Sequence, residues 1–405
     1  MTKIELSDKQ TDFLLNSLNR INVAEGAVRS GKSFIQMVRW MEFVATHRGP
    51  FLISGKTRDT ISRNVISPLV DLFGPKLVQF KISRGEAILF GKTCYCVGAT
   101  DDGAETRIRG ITANGWLADE VTIQPRSFIH QALARCSMED SKCFWTCNPD
   151  SPYHYIYQDY LQGNPVVSRW HFTLDDNPAL DPEYVASLEA MYAGLFYRRF
   201  ILGEWVLAEG TVYSMFDEGK HVVQENDIPE CDEYWVGVDY GITNPCVFLL
   251  LGRRDDQYYV VREYYHSGGG GVQKTDSEYG KDMWDFLFGI APERIYVDPS
   301  ALSYITELKR RSLRVAGADN SVLPGIQAVS SLLVSGQLLV SASCRYTIRE
   351  FASYIWDEKA SKNGRDVPRK EHDHCMDALR YAIFSHGKRG GRIMTLGSRV
   401  GHRLW

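Results

Sequence analysis

A glycine-rich string near the start of the chain has the spacing of a phosphate-binding loop. Residues 26–33 read Gly-Ala-Val-Arg-Ser-Gly-Lys-Ser, a complete G-x4-G-K-S pattern. In such a loop the backbone N–H groups point at the phosphates, the lysine reaches the β and γ oxygens, and the final serine holds Mg²⁺. We therefore expect ATP and Mg²⁺ to bind here, with contacts from Gly26, Arg29, Ser30, Gly31, Lys32 and Ser33.

Two adjacent acids follow an apolar run later in the same half of the chain. The run Gly-Trp-Leu-Ala at 115–118 has the length of a buried strand, and it ends in Asp119 and Glu120. In P-loop ATPases an aspartate at this position orients Mg²⁺ and a neighbouring acid activates the attacking water. We expect Asp119 to bind the metal and Glu120 to be catalytic, although an acidic pair on its own is more often a solvated strand end.

Hydrolysis also needs a cation that neutralises the charge developing on the phosphates. Arg29 lies inside the loop, while Arg107 and Arg109 lie just upstream of the acidic strand. We consider Arg29 and Arg109 candidates for this role, acting within the chain or on a neighbouring subunit. Each arginine taken alone is more often a surface charge.

Two further segments have residue types that suit a nucleotide site. The apolar run at 143–147 ends in the turn Thr146-Cys147-Asn148-Pro149. We expect Thr146 and Asn148 to lie near the γ-phosphate and to report hydrolysis to the rest of the molecule. Gln10 precedes the loop and is a candidate adenine contact, and a glutamine on the surface of a helix is an equal alternative.

A second group of acids lies in the C-terminal half. Asp239 and Asp298 each end an apolar, strand-like run, where a site can form at the edge of a sheet. Asp373, His374 and Asp377 open a helical segment with a spacing that places all three on one face. Converging carboxylates favour hard divalent ions such as Mg²⁺ or Mn²⁺, which support phosphodiester hydrolysis by two metals.

Basic residues surround a turn signal just before this helical segment. Asn363-Gly364 predicts a hairpin turn, and an exposed hairpin beside a nuclease site is a candidate DNA-backbone contact. A solvated hairpin without a ligand is nearly as plausible. The cations expected to contact DNA are Lys359, Lys362, Arg365, Arg369 and Lys370.

The elements that must position these residues alternate in type. Short apolar runs separated by helical patterns fill the first 150 residues, which is typical of an α/β domain with a mostly parallel sheet. A second strand-rich block begins at Tyr234. The domains that we predict are a P-loop core at 1–165, a linker subdomain at 166–230, a second domain at 231–386 and a basic tail at 387–405.

Composition agrees with a folded, two-domain protein. The chain has 405 residues, of which 44% are hydrophobic and 24% charged, and its formal net charge of -4 argues against coating nucleic acid by bulk charge. The nine cysteines show no metal-site spacing, so we expect reduced, mostly buried thiols. There is no membrane-spanning run or secretory signal, which predicts a cytoplasmic protein. The glycine run 268–271 is typical of a flexible loop.

The order of these motifs resembles one family, the large terminase subunit of tailed bacteriophages. The resemblance spans about residues 8–386 and includes Gly203-Glu204-Trp205, which is similar to a family motif before the interdomain connection. It implies an additional-strand P-loop ATPase domain followed by an RNase H-like nuclease. By motif match, Asp239, Asp298 and Asp377 are the metal ligands, with Asp373 and His374 near them.

The resemblance also implies a function and partners. These are ATP-driven translocation of double-stranded DNA into a viral prohead, cutting of concatemers, and binding to the portal protein and a small terminase subunit. It implies a pentameric ring on the portal, a monomer in isolation, and a host-cytoplasm location with only transient prohead attachment. The alternatives are a helicase-like ATPase whose C-terminal half only binds nucleic acid, and a scaffold with a degenerate site.

Overall fold

Two mixed β-sheets, each covered by helices, follow one another along the chain. The computed structural model describes residues 5–241, 245–267 and 273–390. The glycine run 268–271, predicted to be a flexible loop, and residues 391–405 of the predicted basic tail lie outside the described residues. No helix of the described part is long and apolar enough to cross a membrane. All nine cysteines are buried and free, as predicted.

The first sheet contains eight strands. They are β1 (Ile21–Gly26), β2 (Phe51–Gly55), β3 (Val78–Lys81), β4 (Glu86–Leu89), β5 (Lys92–Gly98), β6 (Gly115–Ala118), β7 (Lys142–Cys147) and β8 (Val167–Phe172). Their order across the sheet is β3-β4-β5-β2-β6-β7-β1-β8. Strands β5, β2, β6, β7, β1 and β8 are parallel, and the β3–β4–β5 hairpins form an antiparallel edge.

This order fixes the geometry of the nucleotide site. Strand β7 lies between β1, which leads into the glycine-rich loop, and β6, which leads into the acidic pair. That inserted strand is the defining feature of an additional-strand P-loop fold, as the resemblance implies. Because these strands are parallel, their carboxyl ends lie at one edge of the sheet.

Five helices accompany the first sheet: α1 (Asp8–Asn16), α2 (Lys32–Thr46), α3 (Arg58–Ile61), α4 (Ser67–Phe73) and α5 (Arg126–Arg135). Helix α2 has Trp40 and Phe43 fully buried. The Trp40 ring packs edge-on against Phe51 of β2 and Phe144 of β7. This aromatic core fixes the start of α2, and hence the loop, against the sheet.

One strand of the first sheet lies outside the predicted P-loop core. The predicted linker subdomain began at residue 166, yet β8 pairs with β1 along its whole length and completes the sheet. Sequence reasoning missed it because β8 is an edge strand, and its exposed Arg169 and His171 break the expected apolar run. The rest of the connection contains α6 (Pro182–Ala190), α7 (Gly194–Phe196), a π-helical turn at Tyr197–Ile201 and α8 (Glu218–His221).

The second sheet contains seven strands: β9 (Val222–Val223), β10 (Glu233–Asp239), β11 (Cys246–Arg254), β12 (Gln257–His266), β13 (Ile295–Val297), β14 (Val315–Gly317) and β15 (Leu338–Ser341). Their order is β14-β13-β10-β11-β12-β15-β9. An antiparallel β10–β11–β12 meander is extended by β13 and β14, which run parallel to β10. This is the strand order of an RNase H-like fold, as expected.

Helices α9 (Asp276–Leu287), α10 (Leu302–Arg310), α11 (Val322–Val334), α12 (Arg345–Ser353), α13 (Glu358–Lys362) and α14 (His374–Gly390) cover this sheet. Helix α14 crosses β10 so closely that a Cβ at Gly237 would lie 2.1 Å from the Ala378 carbonyl oxygen. Only glycine fits there. This close approach places the acidic N-terminal turn of α14 beside the end of β10.

Candidate active sites

The glycine-rich loop lies between β1 and α2, the context that the pattern predicts. Gly26 and Gly31 have φ angles of 126° and 82°, and a Cβ at Gly26 would lie 2.0 Å from the Phe172 carbonyl oxygen. Arg29 also has a left-handed φ, 59°, which is unusual for a residue with a side chain. Ser30 Oγ donates to the Ala27 carbonyl at 2.8 Å and closes the loop.

Lys32 folds back onto the loop that precedes it. Its Nζ donates to the carbonyls of Gly26, at 3.1 Å, and Ala27, and to Asn148 Oδ1 at 3.2 Å. Burial lowers the pKa of Lys32 to about 8, although neighbouring anionic groups oppose this shift. The lysine is thus a buried cation held between the loop and the turn at the end of β7.

The acidic pair meets the same turn. Thr146 Oγ1 donates to Asp119 Oδ1 at 3.2 Å and accepts from the Glu120 backbone N–H at 3.1 Å. Burial raises the pKa of Asp119, and burial together with the Asp119 charge raises the pKa of Glu120 to about 7. The turn that contains Thr146 and Asn148 therefore contacts both the acids and the loop lysine, and its role in reporting hydrolysis stays a prediction.

The candidate arginines differ in their surroundings. Arg29 is exposed in the loop, and its carbonyl accepts from Asn177 Nδ2 at 2.7 Å. Arg107 Nη1 donates to the Gly98 carbonyl at 2.9 Å. Arg109 is 62% exposed and pairs with Glu105 at 2.5 Å. Within one chain, Arg29 is the arginine that belongs to the loop itself.

Gln10 lies against the loop and is not a surface residue. It is 2% exposed, and its Nε2 lies 2.3 Å from where a Cβ of Gly31 would be. Its Oε1 accepts from the Ser7 backbone N–H at 3.1 Å as part of the cap of α1. The exposed-helix alternative is therefore wrong, and the adenine contact stays a prediction.

Sequence reasoning missed several polar residues of this site. Asn64 Nδ2 donates to Asp119 Oδ2 at 3.4 Å. Lys56 and Arg63 lie close enough to lower the pKa of Glu120, partly opposing burial. The signal was present in part, because Lys56 directly follows β2, the neighbour of the acidic strand. Asn64 and Arg63 lie in a helical turn with no motif.

A fully buried carboxylate supports the loop from behind. Glu25 accepts from Arg169 Nε at 2.9 Å, His171 Nδ1 at 3.0 Å and Trp205 Nε1 at 2.9 Å. Burial disfavours its ionisation, but these donors prevail and lower the pKa of Glu25. Trp205 belongs to the Gly-Glu-Trp motif. Gly203 of this motif lies so close to the loop that a Cβ added to it would be 2.9 Å from the backbone nitrogen of Ala27. The motif thus ties the connection to the loop.

Glu25→Ala is expected to lower the free energy of unfolding by about 2–4 kcal/mol, because the guanidinium of Arg169, the His171 ring and the Trp205 indole N–H lose a buried partner. Glu25→Gln keeps the shape and is expected to cost less. Urea unfolding followed by tryptophan fluorescence measures both changes. Glu204→Gln is the control, since Glu204 is partly exposed and pairs with Arg198 at the surface.

The acids of the second domain cluster where β10, β13 and α14 meet. Asp239 ends β10, and its Oδ2 lies 2.8 Å from His374 Nδ1. Burial raises the pKa of Asp239. Burial alone would lower the pKa of His374, but the contact with Asp239 outweighs burial and raises that pKa. Asp298 follows β13 and accepts from the Tyr381 hydroxyl at 2.9 Å. The predicted residues are therefore brought to one region by three elements.

The last two acids share a lysine. Lys370 Nζ lies 3.1 Å from Asp373 Oδ2 and 2.8 Å from Asp377 Oδ2. Asp377 also accepts from buried Arg380, Nη2 to Oδ1, at 2.8 Å. Asp373 lies just before α14 and accepts through its carbonyl from the Asp377 N–H at 2.8 Å. The prediction that places Asp373 within the helix is thus off by one residue.

The donor set suits hard divalent ions, since it offers four carboxylates and an imidazole. Each carboxylate has its own protein partner, and in the described residues Asp239, Asp298 and Asp377 do not bring ligand atoms within 4.8 Å of one another. A group that does so, Glu233, Glu293 and His386, includes an exposed glutamate, and Glu233 already pairs with Arg253. Metal ligation by the three aspartates stays a prediction.

The basic segment is not a β-hairpin. The short helix α13 occupies the part of the segment before Asn363, which ends that helix, and Gly364 turns the chain with a φ of 72°. A single antiparallel bridge between Trp356 and Pro368 joins its ends. Lys370 pairs with the acidic cluster, and all five predicted DNA contacts are exposed to solvent: Lys359, Lys362, Arg365, Arg369 and Lys370.

The two domains meet at a buried arginine of the connection. Arg199 is 3% exposed, and its Nη1 lies 3.2 Å from Asp150 Oδ1 and 2.5 Å from Asp366 Oδ2. Its Nε donates to the Val206 carbonyl at 3.2 Å. Burial raises the pKa of Asp366, although Arg199 opposes the shift. Sequence reasoning gave no sign of this contact because its members lie far apart in the chain.

His154 lies beside this arginine and stays neutral. Burial, with a smaller contribution from Arg199, lowers the pKa of His154 to about 4, and its Nδ1 accepts from the Ile156 N–H at 3.2 Å. The unfolded chain binds a proton below about pH 6.5 and the folded chain does so only near pH 4, so this residue lowers stability as the pH falls through that window.

His154→Gln is expected to remove part of the acid sensitivity. Between pH 7 and pH 4.5, wild type should lose on the order of 1–3 kcal/mol more of its free energy of unfolding than the variant. Urea unfolding at both pH values measures this difference. The exposed His130 gives the matched control, His130→Gln, and an equal effect in both variants would contradict the assignment.

The N-terminal half of the chain matches a known protein family, and nearly the whole chain is similar to a solved structure. Residues 23–220 match the family model "Terminase large subunit, T4likevirus-type, N-terminal". The chain is similar to the large terminase of a thermophilic bacteriophage, with 36% identity, 95% of this chain and 99% of that chain covered, and a TM-score of 0.87.

Structures of the same phage protein in complex with ADP and with ATP-γ-S are also similar. Both are 36% identical with TM-scores of 0.84, covering 93% and 94% of this chain and 98% and 99% of those chains. No curated protein sequence matches this chain. An additional-strand P-loop sheet, an RNase H-like sheet and this likeness over nearly the whole length lead to one conclusion: the chain belongs to the family of phage large terminase subunits.

Proposed function

We propose that this chain hydrolyses ATP to translocate double-stranded DNA into a viral prohead, and that it cuts concatemeric DNA with a metal-dependent nuclease. The observation that carries the proposal is the presence of two separate polar sites on two different sheets. In the first, Lys32 and the Asp119–Glu120 pair converge on the turn ending β7. In the second, acids gather at the end of β10.

At the first site the residues divide the work of phosphoryl transfer. The loop N–H groups and Lys32 bind the phosphates, Ser33 and Asp119 hold Mg²⁺, and Glu120 accepts a proton from the attacking water. Its raised pKa of about 7 suits a general base near neutral pH. Arg29 is our first choice for the charge-neutralising arginine, and Arg109 of a neighbouring subunit is the second. Gln10 binds the adenine.

At the second site, Asp239, Asp298 and Asp377 are proposed to hold Mg²⁺ or Mn²⁺, with Asp373 and His374 as neighbours. Two bound metal ions supply an activated water and a stabilised leaving oxygen in phosphodiester hydrolysis. The protein's contribution is the partly buried Asp239 carboxylate, which His374 orients through a 2.8 Å contact. Tyr381 orients Asp298 in the same way.

The proposed partners follow from the family. They are DNA, contacted by the exposed cations Lys359, Lys362, Arg365, Arg369 and Lys370, together with the portal protein and a small terminase subunit. We propose a pentameric ring on the portal, with a monomer in isolation, acting in the host cytoplasm and leaving the finished particle. The relatives solved with ADP and ATP-γ-S support nucleotide binding by this chain.

The test is plasmid cleavage and ATP hydrolysis by the purified wild-type chain. Cutting is expected with Mn²⁺ or Mg²⁺ and not with EDTA, and ATP hydrolysis is expected to rise when double-stranded DNA is added. ATP hydrolysis without cutting under any metal would instead favour the helicase-like alternative, in which the second domain only binds nucleic acid.

A further inference from the structure

A continuous line of contacts joins the nucleotide loop to the connection between the domains. Lys32 Nζ donates to Asn148 Oδ1 at 3.2 Å, and Asp150 follows Asn148 by two residues. Asp150 Oδ1 lies 3.2 Å from Arg199 Nη1. A shift of Lys32 toward a bound phosphate therefore changes the contacts of a turn whose next acid is held by Arg199.

Arg199 also holds a segment of the second domain, Asp357–Lys370, which we name the interdomain loop. Asp366 of this loop has a side chain that is 1% exposed and lies 2.5 Å from the Arg199 guanidinium. Ser151 Oγ donates to the Ser361 carbonyl at 3.1 Å. A Cβ at Gly364 would lie 3.1 Å from the Tyr153 carbonyl oxygen. The interdomain loop is thus packed against the first domain, at residues that directly follow the turn at 146–149.

The same loop ends at the acidic cluster. Lys370 is its last residue, and the Nζ contacts to Asp373 and Asp377 are 3.1 and 2.8 Å. The bridge between Trp356 and Pro368 connects the two ends of the loop. Asp366 and Lys370 are thus four positions apart in one stretch of this loop, with Pro368 of the bridge between them.

We infer that Arg199 is the positioning residue that couples the nucleotide site to the nuclease site, by holding the interdomain loop through Asp366 and thereby holding Lys370 on Asp373 and Asp377. The inference rests on the proposed function for the meaning of the two sites. The loop position itself is independent of any activity.

The chemistry explains why an arginine serves here. A guanidinium has five donors in a fixed plane and can bind two carboxylates and a carbonyl at once. One cation between two acids leaves an unbalanced charge in a buried place, and loss of one partner from such a group is costly. The contact is therefore either made completely or given up, which suits a coupling element with two discrete arrangements.

The test compares Asp366→Asn, which keeps the shape of the side chain, with Glu358→Gln, an exposed residue of the same loop. Hydrogen exchange of residues 357–370 is measured without nucleotide or metal, together with the rate of lysine acetylation. In Asp366→Asn we expect loop exchange and Lys370 acetylation to rise about tenfold, with Lys359 and Lys362 unchanged as internal standards. Equal rates in wild type, Asp366→Asn and Glu358→Gln would overturn the positioning role.

A second arm adds ATP-γ-S or ADP to wild type and to Arg199→Lys, which keeps the charge but loses the planar fork. Protection of residues 26–33 reports nucleotide binding and so tests the proposed function separately. We expect the two nucleotides to change loop exchange differently in wild type, and this difference to vanish in Arg199→Lys. Protection at 26–33 with no difference at 357–370 in wild type would overturn the coupling while leaving the ATPase proposal intact.

Discussion

Lys32→Ala is expected to reduce the rate of ATP hydrolysis by about 10²- to 10³-fold, the usual cost of removing a donor aimed at developing charge. The ammonium group is buried and held by the Gly26 carbonyl and Asn148, so its charge is fixed where the loop would bind phosphate. Metal-dependent cutting is expected to persist, because the acidic cluster lies on a different sheet. Phosphate release and plasmid cleavage are measured on the same preparation.

Lys92→Ala is the matched control for this experiment. Lys92 Nζ also donates to backbone carbonyls, those of Val44, Ala45 and His47, but at the opposite end of α2. It should retain ATP hydrolysis even if some stability is lost. Loss of both ATP hydrolysis and cutting in Lys32→Ala alone would mean that the nuclease chemistry itself requires the loop lysine, contrary to our proposal that each site has its own catalytic residues.

The order of the parts could be predicted because each motif depends on local sequence. A glycine-rich loop between a strand and a helix, and acids directly after apolar strands, are set by residues that are neighbours in the chain. The strands at 51–55, 115–118 and 142–147 therefore lie where apolar runs predicted them. The place of β7 between β1 and β6, and the strand order of the second sheet, were expected only from the family resemblance.

What could not be predicted depends on contacts between distant residues. Edge strand β8 contains Arg169 and His171, which do not look like residues of a strand in the sequence. Their partner is Glu25, about 145 residues earlier in the chain, so the pairing was not visible locally. Asp366 looked like one more polar residue of a basic turn, yet it is buried by Arg199 of the connection. The Asn363-Gly364 signal was correct for a turn, but α13 replaced the expected strand.

The assignment of Lys370 as a DNA contact illustrates the same limit. Charge and position near a turn predicted a contact with DNA phosphates, and this stays a prediction because the side chain is 69% exposed; the structure also gives its ammonium group two carboxylates of the adjoining helix start. These acids lie three and seven residues further on, so their spacing was visible. The direction in which the lysine side chain points was not visible in the sequence, because the interdomain loop that positions this side chain is held by residues far away in the chain.

The second large effect is expected at the nuclease site. Asp239→Asn should lower metal-dependent cutting by at least about 10²-fold while leaving ATP hydrolysis near the wild-type rate. The physical reason is that the carboxylate lies partly buried at the end of β10, and the amide cannot offer the charge that a divalent ion needs in that place. Plasmid relaxation over a range of Mn²⁺ concentrations measures the loss.

The control for Asp239→Asn is Asp285→Asn, which makes the same chemical change at an exposed position of α9. If Asp239 is a ligand, its variant should stay inactive at high Mn²⁺ and should bind fewer metal ions by calorimetry, whereas Asp285→Asn should match wild type in both. His374 separates ligation from positioning, because His374→Gln keeps the Asp239 carboxylate and should lose less activity than Asp239→Asn. Full cutting by Asp239→Asn would remove this residue from the metal site and leave the remaining acids, each already bound by a lysine, arginine or tyrosine, as a DNA-binding surface without catalysis.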